Sequence, residues 1–175
     1  AGPASGADRF CYNELKGDRM VCVMEWRKKG VKSSIKTSLP LKLLKLLMKE
    51  KINELTVEDA EKRLPAVLRP VLMPMIRSYA KAAGVAGVLF APYYIEGGLK
   101  GVISADICPG NREKTGWDRE DRTLIADVSN IVQLTSERRA AFERSRRSLD
   151  WFRTLFESAP DAYFLNDLKL SLIHI

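Results

Sequence analysis

Few side chains in this sequence offer a thiol or an imidazole for nucleophilic, base or metal-ligand chemistry. Three cysteines, Cys11, Cys22 and Cys108, occur with no Cys-x-x-Cys spacing among them. An odd count without that spacing argues against a disulfide framework and against a structural zinc site. Cys11 and Cys22 fall within apolar, strand-like runs, where a buried thiol behaves as a small hydrophobe. The single histidine is His174, so any imidazole base, metal centre or haem ligand has one candidate. That residue lies in Leu170-Ser171-Leu172-Ile173-His174-Ile175. The run reads as the in-frame translation of a transposase mosaic-end sequencing adaptor rather than evolved protein. Its alternation also fits a native strand. With His174 set aside, no imidazole remains. Paired carboxylates with a base, a nucleophile triad and a phosphate-binding glycine loop are all missing, so the chain reads as a non-enzyme.

The composition is that of a domain with a real core: 175 residues, 46% hydrophobic and 29% charged. No apolar run reaches the ~18–20 residues of a membrane span. The amino terminus lacks a basic leader followed by an apolar stretch, so no signal peptide is expected and the location is read as cytoplasmic. The formal charge of +7 admits nucleic acid or an anionic surface as a partner. Its densest cluster, Arg138, Arg139, Arg144, Arg146 and Arg147, lies on a helical tract with no nucleic-acid motif. A solvated helix face is the preferred reading, and no nucleic-acid partner is expected.

The elements that must position any site follow from periodicity. Arg9–Leu15 and Met20–Trp26 alternate like strands around a Gly17-Asp18 turn. Strict alternation places Val21, Val23 and Glu25 on one face, and Cys22, Met24 and Trp26 on the other. Pro40 suits the first turn of a helix capped by Ser38, with Leu43, Leu44, Leu46, Leu47 and Met48 forming its apolar stripe. Lys51–Val57 reads as a short edge strand. The tract Asp59–Lys81 is helical but interrupted by Pro65, Pro70 and Pro74, and it stops at Gly84. Val85–Ile95 and Leu99–Ile107 form a hairpin about Glu96-Gly97-Gly98. Its core residues are Val88, Phe90, Leu99, Val102, Ile103 and Ile107. Cys108–Gly116 is a polar loop. Trp117–Phe156 is a long helix, with Asp118 and Asp121 as a partial capping box. From Leu124 through Val128, Ile131, Phe142, Leu149 and Phe152 to Phe156 it carries a coiled-coil seam, weakened at Thr135, Arg138 and Ser145.

This order of elements resembles the GAF domain. Gly6-Ala7-Asp8-Arg9 is similar to the run opening the first strand of that family, and Val23-Met24-Glu25-Trp26 to the second. Ala91-Pro92-Tyr93-Tyr94 with Gly97-Gly98-Leu99-Lys100-Gly101 resembles its later hairpin, and Trp117-Asp118-Arg119-Glu120-Asp121 the start of its last helix. The resemblance covers roughly residues 4–140. From Ser148 to Asp167, including Glu157-Ser158-Ala159-Pro160-Asp161-Ala162, the sequence resembles the entry to a PAS domain. The domain reading is therefore a GAF domain over 1–135 lacking its first helix, a signalling helix over 136–157, the start of a PAS domain over 158–169, and the adaptor-like tail over 170–175.

The resemblance implies an α+β fold, a central antiparallel sheet flanked by helices with a long C-terminal signalling helix. It also implies the input side of a bacterial sensor histidine kinase or cyclic-dinucleotide enzyme. It places a ligand pocket between the sheet and the segments Leu41–Met48 and Leu64–Tyr79. The residues expected to line it are Trp26, Leu44, Met48, Met75, Tyr79, Tyr93, Val102 and Asp106. The cofactor is unknown. A bilin would need a cysteine beside a histidine, and the family's cyclic-nucleotide signature is not present. Tyr93, Tyr94 and Trp26 are also explained by packing, and Asp106 by solvent exposure at a strand end. Three readings stand: a sensor of a small molecule, a structural dimerisation and relay module joined as a homodimer through Leu124–Phe156, and a basic nucleic-acid-binding module.

Overall fold

The computed structural model describes residues 6–49, 53–110, 116–158, 165–166 and 172–173. The chain divides into two compact units, Ala1–Leu134 and Thr135–Ile175. His174 and most of the expected PAS start over 158–169 (159–164 and 167–169) lie outside the described residues. Within the second unit, Leu165–Asn166 pairs antiparallel with Leu172–Ile173.

The first unit is built on β1 (Arg9–Lys16), β2 (Arg19–Arg27), β3 (Ser38–Pro40), β4 (Glu54–Thr56), β5 (Gly87–Ile95) and β6 (Gly98–Ile107). They form one antiparallel sheet in the order β3-β2-β1-β6-β5-β4. The short strands β3 and β4 occupy its edges, where few unpaired backbone groups are left to recruit another chain. The β5–β6 turn is Glu96-Gly97, both in the left-handed region at φ 53° and 74°. Two such residues make a type I′ turn, whose twist matches the flanking strands. Gly98, expected in that turn, instead begins β6.

Alternation along β1 sorts the two faces of the sheet. Arg9, Cys11 and Asn13 point to one, Phe10 and Tyr12 to the other. The first face is covered by α1 (Leu41–Lys49), α2 (Val57–Arg63) and α3 (Arg69–Ala83). There Leu43, Leu44, Leu47, Leu72, Ile76 and Phe90 form the main apolar core. Pro40 closes β3 rather than opening the helix, which begins at the next residue. The proline-interrupted tract resolves into two helices with Pro65 between them. Thr56 caps α2 by accepting from Asp59 N at 3.0 Å, and Pro70 sits in the first turn of α3, where an N–H has no helical partner anyway. Pro74 lies inside α3. Gly84, left-handed, ends that helix.

The opposite face packs Leu89, Tyr93, Ile103 and Ala105 beneath Ile125 of α4 (Arg119–Ser158). The start of α4 is a reciprocal box: Asp121 N donates to Asp118 Oδ1 at 2.9 Å, and Asp118 N donates to Asp121 Oδ2 at 3.0 Å. Ser129 Oγ donates to Pro92 O at 2.9 Å, and Tyr94 N to Gln133 Oε1 at 3.1 Å, fixing this part of the helix to β5. Val128, assigned to the seam by its spacing, is partly buried against the sheet. In the second unit, Phe142 is 70% and Leu149 66% exposed, and i,i+4 pairs such as Arg139–Glu143 (3.0 Å) line the helix.

One irregularity rearranges β2. Tyr12 pairs with Met24 but Asn13 pairs with Cys22, so Val23 is an extra residue opposite β1. Such a bulge reverses the alternation beyond it. Cys22 and Glu25, three apart, therefore share the Cys11 face, and the expected separation of Cys22 from Glu25 does not hold. Met24 and Trp26 fall on the opposite face, where Met24 is 66% exposed.

Candidate functional site

Under α1 and α3 the sheet leaves an apolar cavity of about 70 Å³. Leu43, Leu44 and Leu47 of α1 form one side, Ile76 and Tyr79 of α3 another, and Val88, Phe90 and Val102 the floor. Two polar side chains, Asn13 and Ser104, also line it. Asn13 Nδ2 donates to Val102 O at 3.2 Å and to Ser104 Oγ at 3.3 Å, so the floor is cross-linked between β1 and β6.

Outside this cavity runs an open groove of about 640 Å³ between α3 and the β2–β3 edge. Pro74, Met75, Ser78 and Tyr79 line its helical wall, and Arg19, Lys36, Thr37 and Ser38 the opposite wall. Tyr79 lines both spaces and stands between them. Burial, with the Asp106 carboxylate nearby, pushes its phenol above the ordinary value. Arg19 is held in place by donating from Nε to Ser38 Oγ at 2.7 Å.

The eight residues expected to line a pocket are not gathered in one place. Leu44, Tyr79 and Val102 line the cavity, and Met75 lines the groove. Met48 packs against the apolar core without reaching the cavity. Trp26 sits on the α4 face against Phe10, with ring centroids 6.0 Å apart, because of the bulge. Tyr93 also lies on that face: its ring stacks on Tyr12 at 5.7 Å and its hydroxyl donates to Tyr12 OH at 2.9 Å. Asp106 faces neither cavity nor solvent. Asn13, Ser104 and Ile76 escaped the sequence reading, although the parity of Asn13 with Cys11 along β1 placed it on the inward face.

At the far end of the same sheet face lies a buried polar cluster. Arg9, fully enclosed, pairs with Asp106 at 2.7 Å from Nε and 2.6 Å from Nη2. Its Nη1 donates to Lys32 O at 2.8 Å and to Ala83 O, at the end of α3, at 2.9 Å. Burial disfavours the guanidinium, but Asp106 outweighs it and holds Arg9 above its usual value. For the enclosed Asp106 carboxyl, burial pushes the proton affinity up against the pull of Arg9. Beside them, Ser34 Oγ lies 3.2 Å from Cys11 Sγ, 3.4 Å from Cys22 Sγ and 3.0 Å from Glu25 Oε2. The hydrogen bond from Cys11 lowers the Cys22 thiol to about 7 against the opposing effect of burial. The same contact, with burial, drives Cys11 far up.

No protein-family model matches the sequence, and no curated protein matches it. Solved structures do. The chain is similar to the GAF domain of PixJ from Thermosynechococcus elongatus in its blue-light-absorbing form, at 15% identity and a TM-score of 0.62, covering 82% of each chain. It is similar to the phycocyanobilin-bound GAF domain of a cyanobacterial phytochrome at 13% identity and a TM-score of 0.55, covering 76% of each chain. It also resembles NpR6012g4, a red/green cyanobacteriochrome, at 18% identity and a TM-score of 0.51, over 78% of this chain and 86% of that one. The fold is that of a GAF domain: an α+β unit with a six-stranded antiparallel sheet and a long C-terminal helix. Among the described residues, no helix is long and apolar enough to cross a membrane.

Proposed function

We propose that this chain is a non-catalytic sensory input module of a signalling protein, which binds a small molecule on the α1/α3 side of its sheet. Binding there biases α4, which carries the change to a following PAS domain and an output domain of the histidine-kinase or cyclic-dinucleotide kind. The observation that supports this reading is the pairing of an apolar cavity with a cationic groove across one side chain, Tyr79. A ligand pocket of this kind combines apolar walls with a few converging polar groups. Arg19 and Lys36 favour an anionic group in the groove, and the leucines of α1 favour an apolar body reaching past Tyr79.

A bilin is not the ligand proposed, although two of the similar structures hold phycocyanobilin or phycoerythrobilin. The cavity of about 70 Å³ is far smaller than a four-ring chromophore, and neither lining contains a cysteine to attach one.

The test is thermal stabilisation by small aromatic carboxylates, benzoate and indole-3-acetate, compared with their neutral amides. At a hundredfold excess over Kd a ligand adds ~2.7 kcal/mol to stability, a shift of several degrees. Val102→Phe, which fills the cavity, abolishes the shift, and Arg19→Glu with Lys36→Glu removes the preference for the acid. An acid-induced shift that persists unchanged in Val102→Phe, or no shift with any acid, sinks this reading. The exposed apolar residues of α4, Phe142 and Leu149 among them, favour a second function as a dimerising relay, which needs no ligand.

A further inference from the structure

We propose that Cys11, Cys22 and Glu25 form a binding site for a thiophilic divalent metal ion, zinc foremost, on the sheet beneath Ser34. The site is separate from the ligand cavity, and its lining shares no residue with it.

Geometry is the first argument. One ligand atom from each of the three side chains lies within 4.8 Å of the other two. Around a tetrahedral ion with metal–sulfur bonds of ~2.3 Å, donors stand roughly 3.5–4 Å apart. The cluster therefore needs a contraction of at most about 1.3 Å, which rotation of the side chains supplies. This arrangement depends on the bulge at Val23: without it, Glu25 would lie on the face opposite Cys22.

The hub of the cluster is the second argument. Ser34 Oγ sits within 3.0–3.4 Å of all three ligand atoms, and Ser34 N donates to Glu25 Oε2 at 2.8 Å. The hydroxyl's single proton serves one of the three at a time, while the thiols' own protons have only long contacts, from Cys11 Sγ to Asp106 Oδ2 and from Cys22 Sγ to Met24 O, each at 3.7 Å. A metal ion at the centre satisfies the two sulfurs and the carboxylate together, with Ser34 Oγ or a water in the fourth position. Ser34 belongs to the 28–37 segment that joins β2 to β3.

Charge is the third. With both thiols ionised, Cys11, Cys22, Glu25 and Asp106 form four neighbouring anions. Arg9 pairs with Asp106 at 2.6 Å and Arg27 with Glu25 at 3.0 Å, contributing two cations. The balance is two negative charges, which one divalent ion neutralises. Coordination is coupled to release of the thiol protons to solvent, as it is for any cysteine-ligated metal. A sequence without Cys-x-x-Cys hides such a site because its two thiols come from adjacent strands.

The experiment uses cobalt(II) as a spectroscopic probe of the reduced, tag-free chain under anaerobic conditions. One equivalent is expected to bind, with a thiolate-to-cobalt charge-transfer band in the near ultraviolet and the visible bands of a tetrahedral centre. Zinc displaces it. Cys22→Ser, which leaves one thiolate, at least halves the charge-transfer band, Glu25→Gln weakens binding by about tenfold or more, and Cys108→Ser leaves both unchanged. Glu25→Gln keeps both thiols, so it reports on the site even if Cys22→Ser folds poorly. Wild-type protein that takes up no cobalt overturns the proposal without reference to a variant. So does a band undiminished in Cys22→Ser or lost in Cys108→Ser, and so does undiminished affinity in Glu25→Gln.

Discussion

Arg9 and Asp106 face each other across β1 and β6, and their buried ion pair ties the first strand to the last strand of the sheet and to the end of α3. Arg9 Nη1 also donates to the carbonyls of Lys32 and Ala83. The pair thus closes four segments around one guanidinium. Removing one partner strands a buried charge, which costs about 3–5 kcal/mol. Asp106→Leu and Arg9→Met are each expected to lower the urea midpoint strongly. The double variant Arg9→Met/Asp106→Leu is expected to recover much of the loss, because neither charge is left alone. Strictly additive losses in a double-mutant cycle would show that the two residues are not coupled.

Gly101 marks where β1 and Tyr93 crowd β6. A Cβ there would meet the Asn13 carbonyl oxygen and lie 2.5 Å from Tyr93 Cε1 and 2.6 Å from Tyr93 OH. The ring could turn aside, but the carbonyl belongs to the sheet ladder and cannot. Gly101→Ala should therefore destabilise the domain by about 3 kcal/mol, the upper range for overpacking. Denaturant unfolding measures it, and a loss below half that value would mean that β1 yields more easily than its position between two strands suggests.

Much of this architecture was legible because it rests on local chemistry. The Asp118–Asp121 box, the stop at Gly84 and the leucine stripe of α1 are each written within a few residues. The α4-facing position of Trp26 was not, because a bulge leaves no mark in the apolar pattern and yet inverts every assignment after it. Tyr93 was legible as inward-facing, but a strand buried on both sides offers two insides, and it took the one shared with Tyr12. Asp106 at a strand end read as facing a pocket or solvent because its partner is 97 residues away. Long-range ion pairs have no local signature, and neither does the convergence of Cys11, Cys22 and Glu25.

Two of the five tyrosines should resist alkaline titration. Burial raises the Tyr79 phenol, with the Asp106 anion adding to it. Burial also raises Tyr93, and its hydrogen bond to Tyr12 adds to that. In the unfolded chain both ionise near pH ~10. Above that pH the unfolded state holds fewer protons than the folded one, so stability falls as pH rises. Tyrosinate absorbance should show these two phenols ionising only as the protein unfolds, in step with loss of circular dichroism. Early, reversible ionisation of all five would contradict the enclosure of both rings.

The seam of α4 gives the sharpest test of the relay reading. Of the apolar positions first assigned to it, Val128 is committed to the sheet, and substituting it would confuse folding with association. Ile131, Phe142 and Leu149 are 62%, 70% and 66% exposed and lie outside the buried apolar core. Burying each in a helix pair is worth ~1.5–3 kcal/mol, so losing all three removes roughly 5 kcal/mol or more. At ~1.4 kcal/mol per tenfold, a micromolar dimer would weaken by a factor of thousands. The triple variant Ile131→Glu/Phe142→Glu/Leu149→Glu is therefore expected to sediment as a monomer at concentrations where the wild type is dimeric. Its thermal unfolding should otherwise match a wild-type sample diluted to monomer, since none of the three side chains belongs to the core of the sheet domain. A triple variant with the oligomeric state of the wild type would remove the helix from the association and with it the relay reading.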